Sequence, residues 1–219
     1  MSFLSSILER ISSAFEKWRI RHQEEKERRR IERERRLEQQ RREEEQRRFL
    51  YRLGNDFEDY VITMFDPEKF ELIHRTPTND DTNGRFVHSM VYPDLRFREK
   101  STGRRFWVEV KYRARTEEHG EITWCNDNQL RHYKRTMYET RDPVFIIIGV
   151  GGPTQCPQKV YCLNLERINF TRLFYRTYKD NRIYSRYIDS LESMYQISNQ
   201  YVNSAHLSEF PRFRHSSRW

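Results

Sequence analysis

The chain has 219 residues, a formal net charge of +8 and 34% charged side chains, which suits one globular domain with charged extensions. The charge favours a polyanionic partner, although residues 49–163 contain 17 basic and 17 acidic side chains, so the excess lies toward the two ends. The sequence has no run of 18 apolar residues and no long signal-peptide core, and its three cysteines lack zinc-ligand spacing. We therefore expect a cytoplasmic protein with reduced thiols and no membrane-spanning helix.

The first predicted element is an amphipathic helix over residues 1–18. Its apolar positions recur at helical spacing, and serine and glutamate occupy the opposite side. The apolar positions are Phe3, Leu4, Ile7, Leu8, Ile11, Ala14, Phe15 and Trp18. Two uses of this face remain open: docking on a protein partner or on a second copy of the chain, and contact with a membrane surface. The mixed charges on the polar side favour the protein contact.

Residues 19–50 predict a charged helical arm. Between residues 19 and 48 the only aliphatic side chains are Ile20, Ile31 and Leu37, which are too few for a coiled-coil seam. Glutamate repeatedly precedes arginine by four residues, as in Glu25–Arg29, and each such pair stabilises an isolated helix by about 0.2–0.5 kcal/mol. We expect a solvated spacer, because the interleaved glutamates argue against a nucleic-acid-binding arm.

A domain is predicted over residues 51–170, beginning with a second helix. Gly54 is expected to end the arm, and Asn55 or Asp56 is expected to cap the new helix. The predicted buried stripe of this helix consists of Phe57, Tyr60, Val61, Met64 and Phe65. A strand is predicted next, over residues 70–74.

Residues 91–111 predict a β-hairpin, because two strand-like runs flank a short Ser-Thr-Gly turn. Folding about that turn places Asp94 opposite Glu109 and Val110. Glu109 and Lys111 are two residues apart and therefore share one face of their strand. Trp107 shares that face, and we expect it to pack beneath the opening helix. Two carboxylates and one ammonium then converge on a patch that suits a hard divalent cation.

The remaining elements predict an α-β-β-β-α-β-β order and a mixed sheet, in the α/β or α+β class. A helix is predicted over residues 126–141, with Leu130, Tyr133, Met137 and Tyr138 on one face. The continuous apolar run at 144–150 predicts a fully buried strand, and residues 159–165 predict the last core strand. The extension over residues 171–219 interleaves aromatics with arginine, which suits base stacking and phosphate contact or packing on a protein surface.

The hairpin motif resembles that of the PD-(D/E)XK nuclease superfamily. The matching residues are Pro93-Asp94 and Glu109-Val110-Lys111, and the resemblance covers residues 54–165. It implies an α/β, restriction-endonuclease-like fold with an α-β-β-β-α-β core and a mixed central sheet. It also implies hydrolysis of nucleic-acid phosphodiester bonds with Mg²⁺ or Mn²⁺, by an endonuclease for which DNA is favoured over RNA as the substrate.

The flanking helices add to the resemblance. The first carries Glu58, and the second carries Gln129 and Tyr133, which resemble the QxxxY motif of RecB-like branches. The resemblance places Glu58 and Gln129 in the catalytic site and Tyr133 against the substrate backbone. Arg113 and Arg115, just past the motif, are candidates for substrate phosphates. Each of these also has a plainer reading, as a surface charge or, for Tyr133, as a core residue.

The roles that the resemblance implies for the hairpin residues agree with the chemistry of their side chains. Asp94 and Glu109 would bind the cation through carboxylate oxygens, and the backbone carbonyl of Val110 is a further ligand. Lys111, beside two carboxylates, is expected to stay protonated and to orient a water molecule or stabilise developing charge. Two alternatives stand beside this hypothesis. The acids can pair with arginines across an exposed hairpin face, or the fold can serve as a catalytically silent scaffold that binds nucleic acid, protein or membrane.

Overall fold

The computed structural model describes residues 3–77 and 92–199, with the backbone alone for residues 3–13. The chain forms two units, Met1–Arg52 and Leu53–Trp219. Residue 91, the first of the predicted hairpin, and the end of the predicted C-terminal extension, residues 200–219, lie outside the described residues. In the part of the chain that the structure describes, none of the helices is both long enough and apolar enough to cross a bilayer.

The first unit lies within one long helix, α1 (Phe3–Thr63). Ion pairs at the predicted spacing line it, including Arg29 with Glu25 and Arg42 with Glu38, each at 2.6 Å. Of the predicted apolar face, Phe15 and Trp18 are exposed to solvent, and the side chains of residues 3–13 lie outside the description. The prediction of a long N-terminal helix is confirmed.

Helix α1 also contains Gly54, so the predicted break at this residue is wrong, as is the cap at Asn55 or Asp56. A glycine inside a helix costs about 1 kcal/mol relative to alanine. Phe57 and Val61, in the next two turns, are fully buried. Their burial outweighs the local cost of the glycine, and the helix continues to Thr63.

The second unit is built on a mixed sheet. Its further elements are β1 (Phe70–Arg75), β2 (Leu95–Glu99), β3 (Arg105–Arg113), β4 (Ile122–Thr123), α2 (Asp127–Thr140), β5 (Val144–Val150), β6 (Lys159–Asn164), β7 (Arg172–Leu173), α3 (Tyr175–Tyr178), β8 (Arg182–Ile183) and α4 (Leu191–Ser198). Within the described residues the main sheet has the order β1-β2-β3-β5-β6-β8, and β4 pairs with β7 separately. Only β3 and β5 are parallel among these neighbours, and α2 lies in their connection, as a parallel crossover requires. The predicted α/β class with a mixed sheet is confirmed.

The predicted hairpin is confirmed in its register. Leu95 pairs with Val108 across β2 and β3, so Asp94, one residue earlier, lies opposite Glu109. One face of β3 packs into the same core as Phe57 of α1. Trp107 is on the other face, where its indole N–H donates to the Thr140 hydroxyl of α2 at 3.3 Å. The expectation that Trp107 packs beneath the opening helix is therefore wrong, because the alternation of β3 points it to the opposite side of the sheet.

Helix α2 begins with a capping box, in which the Asn126 side chain accepts a hydrogen bond from the Gln129 N–H at 2.9 Å. Tyr133 is buried, but Tyr138 is 85% exposed. Tyr138 was placed on the wrong face, because successive helical residues rotate by about 100°, which puts it about 140° from Tyr133.

Strand β5 is buried along its whole length, as predicted. The chain after residue 170 then completes the core, because β8 pairs with β6 and α4 buries Leu191 and Met194. The buried carboxylate of Glu99 fixes this end of the fold. It accepts hydrogen bonds from the N–H of Leu191, at the start of α4, at 2.8 Å and from the Thr102 hydroxyl at 2.5 Å.

Candidate active site

Asp94 is held in place by backbone groups on both sides. Its Oδ2 accepts a hydrogen bond from the N–H of Val110 at 2.7 Å. Thr76, just past β1, donates its N–H to the Asp94 carbonyl and its hydroxyl to the Pro93 carbonyl, each at 2.8 Å. The Pro93-Asp94 pair is therefore fixed between β1 and β3 and points its carboxylate at the middle of β3.

Glu109 is fully buried, with two partners on one carboxylate oxygen and none on the other. Its Oε1 accepts a hydrogen bond from the Tyr133 hydroxyl at 2.5 Å and pairs with the Lys111 ammonium. Among the described residues, its Oε2 has no hydrogen-bond partner. A buried carboxylate oxygen without a partner is costly. This oxygen can therefore hold the proton of the neutral acid, or accept a hydrogen bond or a cation.

The protonation of the hairpin groups follows from burial and neighbouring charge. Burial, followed by the charge of Asp94, raises the pKa of Glu109. Burial acts to lower the pKa of Lys111, but the charges of Glu109 and Asp94 outweigh it and hold that pKa above its ordinary value. Lys111 is therefore a firmly held cation, and full ionisation of the carboxyl groups beside it would give more negative charge than the lysine neutralises.

Glu58 of α1 reaches the same group of charges. Burial, and then the charge of Asp94, raise the pKa of Glu58 to about 7, against the opposing effect of Arg75. Arg75, at the end of β1, donates to Glu58 Oε2 at 3.1 Å and to Asp59 Oδ1 at 2.7 Å. Glu58 thus lies close enough to Asp94 for their charges to interact, and it is held there by an arginine.

The Val110 carbonyl faces the same place. The N–H of Val110 points past the end of β2 toward Asp94. Because the N–H and C=O of one strand residue face the same edge, the Val110 carbonyl also points there, beyond the last pair of Leu95 with Val108. It lies on the side of β3 where the sequence predicts it as a metal ligand.

These donors fit a divalent cation held jointly with a substrate. Within residues 3–77 and 92–199, no three His, Cys, Asp or Glu side chains are grouped closely enough to hold a metal ion alone. Mg²⁺ is usually bound by one or two carboxylates, several waters and substrate phosphates. Asp94, the unpartnered Oε2 of Glu109 and the Val110 carbonyl make such a partial set.

The other predicted site residues have separate contacts. Gln129 is on α2 one turn before Tyr133, and its side-chain oxygen accepts the Asn126 N–H at 3.1 Å as part of the helix cap. The Arg113 guanidinium donates to the carbonyls of Thr123 and Trp124, at 2.7 Å and 3.2 Å.

Through these hydrogen bonds Arg113 anchors the backbone around β4. Arg115 is exposed.

The structure brings together Glu58, Asp94, Glu109, Lys111 and Tyr133. Tyr133 contacts Glu109 and is buried, rather than open to a substrate backbone.

Sequence reasoning missed two residues around this group. Arg75 pairs with Glu58 across 17 residues of chain, and only the placement of β1 beside α1 brings them together. Cys125 is buried, and burial followed by the charge of Glu109 raises its pKa to about 12. Its thiol therefore stays neutral beside the site. In the sequence, the only local indication of where Cys125 lies is its position directly before Asn126, the cap of α2.

No protein-family model matches this chain, and no curated protein does. The function is therefore argued from the geometry of this site.

Proposed function

We propose that this protein is a metal-dependent nuclease that hydrolyses nucleic-acid phosphodiester bonds, with DNA as the favoured substrate. The observation on which this depends is the buried, unpartnered Oε2 of Glu109 beside the anchored carboxylate of Asp94. The arrangement of α1, β1–β3, α2 and β5 around a mixed sheet is consistent with the restriction-endonuclease-like core that the motif implies. The positive charge of the whole chain also favours a polyanionic substrate.

In this function Asp94, Glu109 and the Val110 carbonyl would hold the cation. A divalent cation supplies charge neutralisation at the phosphate and lowers the pKa of water. Asp94 keeps its position because its Oδ2 accepts a hydrogen bond from the Val110 N–H. Tyr133 holds Glu109 by one oxygen and so leaves the second oxygen directed at the site.

Lys111 acts as a fixed positive charge. The carboxylates of Glu109 and Asp94 keep it protonated, so its ammonium donates hydrogen bonds and does not accept a proton. It would orient the attacking water or stabilise the charge that develops on the phosphoryl oxygens. Glu58, whose pKa is raised to about 7, is placed to bind a water molecule at the edge of this group.

Cleavage assays on plasmid, linear and branched DNA and on RNA, with Mg²⁺ or Mn²⁺, test the proposal. Glu109→Gln and Lys111→Met should each reduce the rate by about 100-fold or more, as expected for groups that act on developing charge. Glu139→Gln is the matched control, because Glu139 pairs with Arg135 on the exposed side of α2. Rates that stay equal to wild type in both site variants reject the nuclease assignment.

A second candidate is a catalytically silent module with this fold. The absence of three grouped metal-binding side chains in residues 3–77 and 92–199 favours it. Calorimetric titration with Mn²⁺, alone and with a non-cleavable oligonucleotide, separates the two functions. Binding of Mn²⁺ that requires Glu109 supports the nuclease, and the absence of Mn²⁺ binding under both conditions supports the silent module.

A further inference from the structure

Aromatic side chains are exposed together near strand β8, at the edge of the sheet. Tyr184 follows β8 and is 84% exposed, whereas Phe174, just before α3, and Tyr175, its first residue, are 46% and 48% exposed. A chain of ring contacts places them near one another. Tyr175 lies edge-on to Tyr178 at 5.6 Å, and Tyr178 lies edge-on to Tyr161 at 4.8 Å.

Strand pairing brings Tyr184 to the same place. Arg182 of β8 pairs directly with Tyr161 of β6. Tyr184 directly follows β8, and its ring lies against the Arg182 guanidinium. Phe174, Tyr175, Arg176, Arg182 and Tyr184 together form what we call the aromatic–arginine surface.

Guanidinium groups lie against the rings of this surface. Cζ of Arg182 is 5.0 Å from the ring centre of Tyr184, and Cζ of Arg176 is 5.8 Å from that of Phe174. Residues 174–187 contain four Lys or Arg side chains and one acidic side chain, Asp180, which gives a net charge of +3. The nearby Glu117 and Glu121 both pair with Arg172, at 2.7 Å and 2.8 Å.

The surface is in line with the candidate active site. Lys111, Ile148, Tyr161 and Arg182 are successive register partners across β3, β5, β6 and β8, and therefore belong to one row on one face of the sheet. Three strand spacings separate the Cα atoms of Lys111 and Arg182 by about 14 Å. Ile148 and Tyr161 are buried between them, so this is a separation and not a path along the surface. It corresponds to about four nucleotide steps, at the axial rise of one strand in a duplex.

We propose that the aromatic–arginine surface binds single-stranded nucleic acid. Tyr184 and Tyr175 offer ring faces for stacking on unpaired bases, and Arg176 and Arg182 supply charge for phosphates. The surface combines exposed rings with neighbouring cations and a net positive charge. A polyanion therefore complements it better than an apolar protein surface does. This binding site lies outside the candidate active site and does not depend on catalysis.

Fluorescence anisotropy with a labelled single-stranded oligothymidylate, in a chelator that prevents cleavage, tests this inference on the full chain. Tyr184→Ala should weaken binding about tenfold, because stacking on one base is lost. Tyr138→Ala is the matched control, since Tyr138 is 85% exposed on the outer side of α2. The control should bind as wild type does. Arg176→Gln should reduce the dependence of affinity on salt, since one phosphate contact is removed.

Equal affinities of Tyr184→Ala and wild type overturn the proposal, as does an equal loss in Tyr138→Ala. Retention of blunt-duplex binding in Tyr184→Ala, with loss of single-strand binding, supports it. Failure here is distinguishable from failure of the nuclease proposal. Binding that depends on Tyr184, without any cleavage, supports the aromatic–arginine surface and rejects the nuclease proposal. Cleavage together with binding that does not depend on Tyr184 supports the nuclease proposal and rejects the surface.

Discussion

Replacing Glu109 with glutamine should make the stability of the metal-free protein depend less on pH between pH 5 and pH 8, while removing its response to Mg²⁺. Glu109 is fully buried, and burial followed by the charge of Asp94 raises its pKa from 4.5 to about 8. Glutamine has nearly the same shape and keeps an oxygen that can accept from Tyr133 and Lys111. It removes the charge that the buried site tolerates poorly.

The sign and size of the effect follow from proton linkage. The folded state holds the Glu109 proton more tightly than the unfolded state, so this stabilisation is fully present below pH 4.5 and is lost as the pH rises to 8. At about 1.4 kcal/mol for each pKa unit, wild type should lose about 3 kcal/mol between pH 5 and pH 8 through this group. The glutamine variant should not lose this contribution.

Urea unfolding of both proteins at pH 5 and pH 8, with and without Mg²⁺, measures the prediction. The other titrating groups are common to both proteins, so the difference between the two pH dependences reports Glu109 together with groups such as Lys111 whose charges are coupled to it. Mg²⁺ should stabilise wild type at pH 8 and leave the variant unchanged. The reasoning is refuted if both proteins lose the same free energy of unfolding between the two pH values, or if Mg²⁺ stabilises both equally.

Three further predictions address the site and its support. Tyr133→Phe should lower the free energy of unfolding by about 1 kcal/mol and slow cleavage, because the buried Glu109 loses a donor; urea unfolding and a cleavage assay measure both. Gly149→Ala should lower the free energy of unfolding by about 2 kcal/mol, because the added Cβ would lie 2.5 Å from an aromatic ring of α1. In Gly54→Ala the added Cβ meets no atom within 4 Å, so this variant should not be destabilised; thermal unfolding compares the two variants. At limiting Mg²⁺ the rate of cleavage should rise between pH 6 and pH 8, because Mg²⁺ competes with the protons of Glu58 and Glu109, whose pKa values without metal are raised to about 7 and about 8; a flat pH profile contradicts this.

Local sequence signals were sufficient for the hairpin at the centre of the site. The alternation of β3 and the short turn before it fix both the register and the face of each side chain, so Asp94, Glu109 and Lys111 were placed together from the sequence. The same signals separated the two faces of β3. These signals did not determine which helix covers each face of the sheet. Trp107 was therefore expected beneath the opening helix, whereas it packs against α2.

Errors arose where tertiary packing decides a local choice. Gly54 carries a breaker signal, but the burial of Phe57 and Val61 keeps the helix intact around it. The two-residue strand β8 is too short to show a period, although it completes the main sheet. The Arg75–Glu58 pair has no sequence signature, because its two partners come from different elements.

The balance of charge around Glu109 ties these observations together. Glu58, Asp94 and Glu109 contribute three carboxyl groups, and the nearby cations are Lys111 and an Arg75 that is shared with Asp59. Counting Asp59, four acids face two bases, so the ionised group has two negative charges in excess. Burial, followed by the charge of Asp94, raises the pKa values of Glu58 and Glu109, so that protons relieve part of this excess when no further cation is bound. One divalent ion would neutralise the excess and take the place of those protons, and the buried, unpartnered oxygen of Glu109 supplies a ligand for it.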